Sequence, residues 1–385
     1  MTVSPGRTLK ASIETCRGVT IIQTPQYFAP QRFAASGFCP WDVLYRCFQT
    51  TTRRFDVIFV SDHLPNVAWP FLAARVFQPD TLFVADWADL FAEGGLHEHW
   101  NRGPGKPFYL VSQLLERGIK RRAHLCTATS RPLLKALQDR LDISTLRTFH
   151  LPSGCDTQMV FPASQRQARL ETGMPLDSLI VGRTSSTGNM TNAEIDAMIQ
   201  LSERYRALTK KDLVHYLIGP CDRNRYSRLF QSNCQVRVTG RLAPSETPRH
   251  LAACDLFLTI EDDTPNNRCR GPIRLNDYLA AGRPIVCNSI GDHVETLAMH
   301  EAAVICDDLR TPHPGLDSIL TGPAIRQAMG QRARALAEGD LSWEKLAQNF
   351  EWFLLQNAPV LQGAEAAVPS YVSEHSATIA GNLSR

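Results

Sequence analysis

The stretch 268–296, RCRGPIRLNDYLAAGRPIVCNSIGDHVET, concentrates the residue types and spacings best suited to chemistry. Gly271 and Pro272 open a helix, an acid follows at Asp277, and Gly282-Arg283-Pro284 leads into the apolar run Ile285-Val286-Cys287. Main-chain N–H groups in the first turn of a helix lack intrahelical partners and sit at the positive end of its dipole. Gly271, Pro272, Ile273 and Arg274 are therefore a candidate phosphate cradle. Asp277 falls about one and a half turns into that helix, where a carboxylate can accept hydrogen bonds from both hydroxyls of a ribose. Arg274, three residues earlier, shares its face and can meet a phosphate or pair with Asp277. Spacing alone favours a plainer alternative, a capped surface helix carrying a local ion pair.

Two further groups could do chemistry. Asp86 and Asp89 flank Trp87 in VADWADL, after an apolar run that should deliver them to the carboxyl edge of a sheet, where open α/β folds bind ligands. They could recognise sugar hydroxyls or assist deprotonation of an acceptor, and Asp89 could equally cap a loop. His97 and His99 lie in GGLHEHW; an H-x-H pair can ligate a metal, but no third ligand is apparent, so acceptor contact is preferred and no metal is expected.

The elements that must position these residues alternate. β-rich runs GVTIIQT, FDVIFVS, TLFVADW, HLCTATS and TFHLPSG are separated by helical segments at 40–51, 67–77, 110–122 and 131–141, a pattern that predicts a parallel sheet covered by helices. A second series follows a polar stretch at 163–173: SLIVGRT, a helix over 192–208, LVHYLIG, CQVRVTG, a helix over 245–253, DLFLTI, the helix after Gly271, and RPIVCNS. The 385-residue length fits two such domains. We assign 1–162 to an acceptor-side Rossmann-like domain, 163–340 to a nucleotide-sugar-binding one, 341–358 to a C-terminal helix, and 359–385 to a disordered tail.

Composition narrows the classes. Apolar residues at 43% and charged residues at 21% describe a globular protein with sizeable cores. No apolar run approaches the ~20 residues that cross a bilayer, and 1–17 lacks the apolar centre of a secretory signal; a cytoplasmic location is the expectation. The eleven cysteines contain no C-x-x-C, and Cys254 and Cys287 sit in strand-like apolar runs, so reduced core thiols are expected. Residues 1–150 carry 18 Lys and Arg against 12 Asp and Glu, a basic balance compatible with an anionic membrane surface or lipid-linked substrate. The composition of a nucleic-acid binder is absent, and no G-x-G-x-x-G follows a strand, which argues against a dinucleotide oxidoreductase.

The 268–296 stretch resembles the signature of family-4-like glycosyltransferases, P-x-K-L-x-E-Y-x-A-x-G-x-P-V-V, here Pro272, Arg274, Leu275, Asp277, Tyr278, Ala280, Gly282, Pro284, Ile285 and Val286. LPSGCDTQMVFP (151–162), SLIVGRT (178–184), HYLIGP (215–220) and TGRLAPSETPRHLAACDLFL (239–258) are similar to further segments of that family in matching order. The first domain is more loosely similar to sugar transferases of bacterial surface-polysaccharide pathways. The resemblance implies an α/β fold of two facing Rossmann-like domains (GT-B) and sugar transfer with retention. The donor would be a nucleoside-diphosphate sugar and the acceptor a glycan or lipid-linked molecule, at the inner face of a membrane and without a cofactor or metal.

Carried over by position, the resemblance gives Asp277 the ribose, and Arg183, which follows Gly182 at a strand end, the donor diphosphate. Arg274 or Arg270 would supply the charge of a lysine that the family places where Gly188 and Asn189 stand here, and both are assigned to the donor site with Gly182. The family's acid eight residues before Asp277 falls at Cys269, which puts the usual contact to the transferred sugar in doubt. The family also opens with a strand, a Gly-Gly loop and a helix, for which 1–17 is too short. Either that unit is lost or the start is placed too late, and with it lost, slow transfer is expected. Two rival readings follow: a non-catalytic relative that binds nucleotide or glycan, and a sugar-nucleotide epimerase on the same fold.

Overall fold

The computed structural model describes residues 11–16, 18–24, 37, 39–61, 63–91 and 94–357. Strands β1 (Ser12–Cys16) and β2 (Val19–Gln23) pair antiparallel, with Cys16 opposite Val19. The run GVTIIQT, expected in the parallel sheet, thus belongs to a hairpin. The reason is local: only two residues separate the strands, one of them Gly18 at φ +79, and so short a connection closes only an antiparallel pair. The expectations for 1–10 and for the 359–385 tail lie outside the described residues.

The first parallel sheet comprises β3 (Val57–Val60), β4 (Leu82–Trp87), β5 (Leu125–Ala128) and β6 (Thr148–His150), in sequence order. Helices Pro65–Phe77, Lys106–Arg122 and Arg131–Leu141 cover it. The last of these shows why the elements form where they do. The Ser130 hydroxyl accepts from the Leu133 N–H, Pro132 occupies the first turn, and Leu133, Leu137 and Leu141 bury one stripe against the sheet.

The second sheet contains β7 (Ile180–Thr184), β8 (Val214–Ile218), β9 (Gln235–Val238), β10 (Leu256–Thr259), β11 (Ile285–Cys287) and β12 (Ala303–Ile305), all parallel. Its spatial order is β12-β11-β10-β7-β8-β9. The chain therefore builds outward from β7 to β9 and returns to the other side of β7 with β10, making a topological switch point between β7 and β10, the position at which open α/β sheets hold ligands. Helix Trp343–Asn357 crosses back to the first domain, where Phe353 stacks on Phe149 at 4.8 Å and Phe350 meets Phe59 edge-on at 5.8 Å. All eleven cysteines are free thiols, and Cys254 and Cys287 are buried among apolar side chains.

Packing at the switch point has no slack. A Cβ on Gly182 would lie 2.5 Å from Cys254 Sγ and 2.5 Å from the Phe257 ring, and that ring is itself stacked on Tyr278 at 3.8 Å. The glycine is thus explained by strand packing. Gly182→Ala should overpack this core by about 1–3 kcal/mol and lower the melting temperature by several degrees. An unchanged melting temperature would show that the ring pair can move and that the glycine answers to something else.

Candidate functional site

A cleft of about 1100 Å³ lies between the carboxyl ends of the two sheets. From the first domain it is lined by Asp89, Thr129, Arg131 and His150, and from the second by the loops after β7 and β8 and by the segment Arg270–Asp277. Positive φ angles at Gly188 and Gly219 let those two loops meet, since a Cβ on either would fall within 2.6 Å of a carbonyl oxygen of the other loop.

The helix expected after Gly271 spans Arg274–Ala280. Its inner face is anchored by Tyr278, fully buried, whose hydroxyl accepts from the Thr184 N–H at 2.8 Å and lies 3.0 Å from Thr184 Oγ1. That bond fixes the helix to the end of β7. At its start, the Leu275 and Asn276 N–H groups donate to Pro272 and Ile273 carbonyls, so part of the expected phosphate cradle is satisfied internally.

The charge of the floor comes from side chains. Glu261, just beyond β10, accepts from Arg274 Nη2 at 2.6 Å and faces Arg270 Nη2 at 3.6 Å. Burial pushes the Glu261 carboxyl up, and the two guanidinium groups pull it back. Three buried polar groups of the cleft have no hydrogen-bond partner at the atoms named: Arg270 Nε, Arg274 Nε, and both ring nitrogens of His293. Burial, with Arg274 beside it, lowers the His293 imidazole to about 4. At neutral pH it is an uncharged donor and acceptor.

Asp277 faces the cleft, and its carboxyl rises to about 6, mainly through burial and secondarily through the nearby Asp156. It makes no ion pair or side-chain hydrogen bond among the described residues, in particular none to Arg274, whose carboxylate partners are Glu261 and Glu194. The local ion pair of the plainer reading is therefore not formed.

Other candidates are placed differently. Arg183 is only 4% exposed and lies behind the floor, fork-bonded to Glu194 at 2.8 and 2.9 Å and donating to the Asn189 carbonyl at 2.6 Å. Burial opposes its charge, and Glu194 more than offsets that, keeping the guanidinium above its ordinary range. Gly182 likewise does not line the cleft, whereas Gly271, Pro272 and Ile273 do. The thiol of Cys269 packs toward the apolar cluster of the first domain, and its carbonyl accepts from Ser130 Oγ.

On the first domain, Asp89 reaches the cleft; burial raises its carboxyl and Arg270 opposes the rise. Asp86 turns away. It accepts from Thr127 Oγ1 at 2.6 Å, and its carboxyl rises to about 6 through burial. His97 shares Ser112 Oγ with His63, at 2.9 and 2.6 Å, and stacks on Trp100 at 4.2 Å, while His99 contacts the Leu96 carbonyl; neither lines the cleft. Among the described residues no three His, Cys, Asp or Glu side chains converge as a metal site, and no helix is long and apolar enough to cross a membrane.

Sequence reasoning missed Glu261, Glu194, His293 and Asp292. Glu194 was legible as the acid of a T-x-x-E capping box, Thr191 to Glu194. The others depend on contacts between distant segments. Asp292 lies 3.9 Å from Arg131 and 3.8 Å from His150, both on the opposite wall.

No curated protein sequence matches the chain. Residues 201–351 match the family described as "Glycosyl transferase-like". Among solved structures, sucrose-phosphate synthase from Thermosynechococcus elongatus superposes with a TM-score of 0.64 at 17% identity, over 89% of this chain and 84% of that one. Anabaena HepE in complex with UDP-glucose gives 0.59 at 15% identity, over 84% of each chain. WaaG, a glycosyltransferase involved in lipopolysaccharide biosynthesis, gives 0.52 at 14% identity, over 81% of this chain and 95% of that one. The fold is thus α/β with two Rossmann-like domains, as in these GT-B glycosyltransferases, and its second domain carries a glycosyltransferase-like sequence pattern.

Proposed function

We propose that this chain transfers a sugar from a nucleoside-diphosphate donor to a glycan or lipid-linked acceptor, with retention at the anomeric carbon, in surface polysaccharide or lipopolysaccharide synthesis. The observation that carries this reading is the set of orphaned cleft donors, Arg270 Nε, Arg274 Nε and His293, at the switch point of the second sheet. Buried donors without partners destabilise a fold unless a ligand satisfies them. An anionic, polyhydroxylated ligand matches them, and UDP-glucose bound by HepE supports that class.

In this scheme the Asp277 carboxylate accepts from the ribose hydroxyls, and Arg270 and Arg274 face the diphosphate. As the glycosidic bond breaks, negative charge grows on the leaving diphosphate, and two guanidinium groups already held in place by Glu261 stabilise it without reorganising. Arg183 acts at one remove, by fixing the Asn189 turn and Glu194. Asp89 and His150 are the acceptor-side groups on the opposite wall. Retention and independence from metal follow from the family resemblance, and WaaG supports the lipopolysaccharide setting. A cytoplasmic site at the inner membrane face belongs to the same reading.

A second reading, a binding-only relative, draws support from Cys269, which offers no carboxylate at the cleft, and from the burial of Arg183. Donor binding without turnover of any sugar nucleotide would favour it.

Nucleotide binding tests the donor site. Millimolar UDP, GDP or ADP should raise the melting temperature. Asp277→Ala should weaken the nucleotide much more than inorganic diphosphate, whereas Arg274→Ala should weaken both. No shift with any nucleotide would exclude the donor site, and equal losses for both ligands in the aspartate variant would remove the ribose role.

The same carboxylate gives a pH test. Its folded value of about 6 exceeds the ordinary 3.8, so the folded state holds the proton more tightly than the unfolded chain. Stability from this group is intact below 3.8 and is lost as pH rises through about 6. Asp277→Asn should therefore be more stable than the parent at pH 7.5, by about 1–3 kcal/mol, with the gain vanishing near pH 4. A destabilised asparagine variant at pH 7.5 would mean that the charged carboxylate supports the fold itself.

A further inference from the structure

At the other end of the first sheet a second cavity, of about 820 Å³, opens beneath the amino ends of β4, β5 and β6. About 20 Å of strand separates it from the interdomain cleft, six residues of β4 at about 3.3 Å each. Arg75 enters from the last turn of helix Pro65–Phe77, Arg121 and Arg122 from the last turn of helix Lys106–Arg122, and Arg147 from the residue before β6. The lining contains one carboxylate, Asp80. Among the described residues none of the four guanidinium groups forms an ion pair.

Their hydrogen bonds go to neutral acceptors. Arg75 Nε donates to the Arg122 carbonyl at 3.3 Å, Arg122 Nη1 to Gly118 at 3.4 Å, and Arg147 Nε to His124 at 2.8 Å, with Arg147 Nη2 on Ala123. Basic side chains near helix C-termini commonly satisfy terminal carbonyls. All of these acceptors lie within 118–124, so three arginines converge on the end of one helix, Lys106–Arg122. Capping explains their direction; it leaves like charges that repel each other gathered in one concavity, with no carboxylate among the described residues bonded to them. The repulsion is felt by His124, held below the usual imidazole range by burial and by Arg75 and Arg147 beside it.

We propose that this pocket binds a phosphate-bearing ligand of two or more negative charges, gripped by Arg75, Arg122 and Arg147, at a site separate from the cleft. The carbonyl bonds aim the guanidinium groups without neutralising them, and each retains N–H groups for a phosphate, the anion whose oxygens best match the fork. Val76, Phe77 and Leu146, next in sequence to Arg75 and Arg147, are 75%, 69% and 79% exposed. The phosphate can thus arrive free in solution or on a lipid headgroup at a bilayer, where such side chains would enter the interface.

The test uses the full chain in two arms. Inorganic pyrophosphate is titrated calorimetrically with the cleft saturated by UDP, and flotation is measured with phosphatidylcholine vesicles with and without phosphatidic acid. Binding in either arm should weaken about tenfold or more in Arg75→Gln/Arg122→Gln and in the milder Arg121→Gln/Arg122→Gln, whose side chains are exposed, and should persist in Arg274→Gln. Pyrophosphate binding assigns a free ligand; flotation dependent on phosphatidic acid, without pyrophosphate binding, assigns a headgroup. Absence of binding in both arms would overturn the proposal, as would binding lost in Arg274→Gln and untouched in both double variants. If UDP fails to bind while the arginine-dependent arm holds, the donor site falls and this site stands.

Discussion

A lattice of two buried carboxylates, one buried guanidinium group and two part-exposed ones supports everything else at the switch point. Glu194 holds Arg183 by a two-pronged bond and meets Arg274 at 3.4 Å, while Glu261 joins Arg274 at 2.6 Å and faces Arg270 at 3.6 Å. Glu194 also closes the capping box of helix Asn192–Thr209. One lattice therefore ties the end of β7, the start of that helix, the end of β10 and the floor of the cleft. Its value is organisational, since taking charges out of water costs about as much as their attraction returns. Removing one member would leave a buried charge unpaired, which is why the floor has one arrangement.

The lattice also explains why the cleft remains cationic with carboxylates so close. Glu194 is fully occupied by Arg183, the Thr191 N–H and the distant Arg274 contact, so its charge is spent behind the floor. Glu261 is shared by two arginines. Three cations against two anions leaves one positive charge over, and the part-exposed guanidinium groups of Arg270 and Arg274, which line the cleft, carry it there. Beside Arg274, the uncharged His293 offers one donor and one acceptor without adding repulsion.

Much of this was readable in the sequence. The alternation of apolar runs with helical segments gives both parallel sheets, and the ordered match over 268–296 marks the cleft segment from Arg270 to Asp277, because consecutive residues on one loop and helix keep their local spacing whatever the rest of the chain does. Orientation was less legible. Arg183 is the last residue but one of its strand, where period-two alternation sends a side chain to one face or the other, and Glu194 on the following helix draws it inward. Asp86 and Asp89, three residues apart at a strand end, diverge for the same reason: Thr127 on β5 captures the first and the second passes beyond the sheet edge. Gly18 and the hairpin show the reverse error, a turn signal overlooked in favour of a strand signal.

Besides the aromatic packing of helix Trp343–Asn357, hydrogen bonds join the domains, with ion pairs in a minor role. Asn276 Nδ2 donates to the Ser153 and Gly154 carbonyls at 3.0 and 3.1 Å, and Ser130 Oγ to the Cys269 carbonyl, so the connecting segment and one rim are directly joined. Across the cleft, Asp292 is 3.8–3.9 Å from His150 and Arg131, beyond hydrogen-bond length. Burial lowers the His150 imidazole against the pull of Asp292, which keeps it uncharged at neutral pH, and its Nε2 is without a partner. Arg131 Nη1 does reach Thr296 Oγ1 at 3.3 Å, so the two walls share this hydrogen bond and the two looser contacts of Asp292. The charged groups of the floor all lie in the second domain, so their arrangement does not depend on these few contacts between the walls.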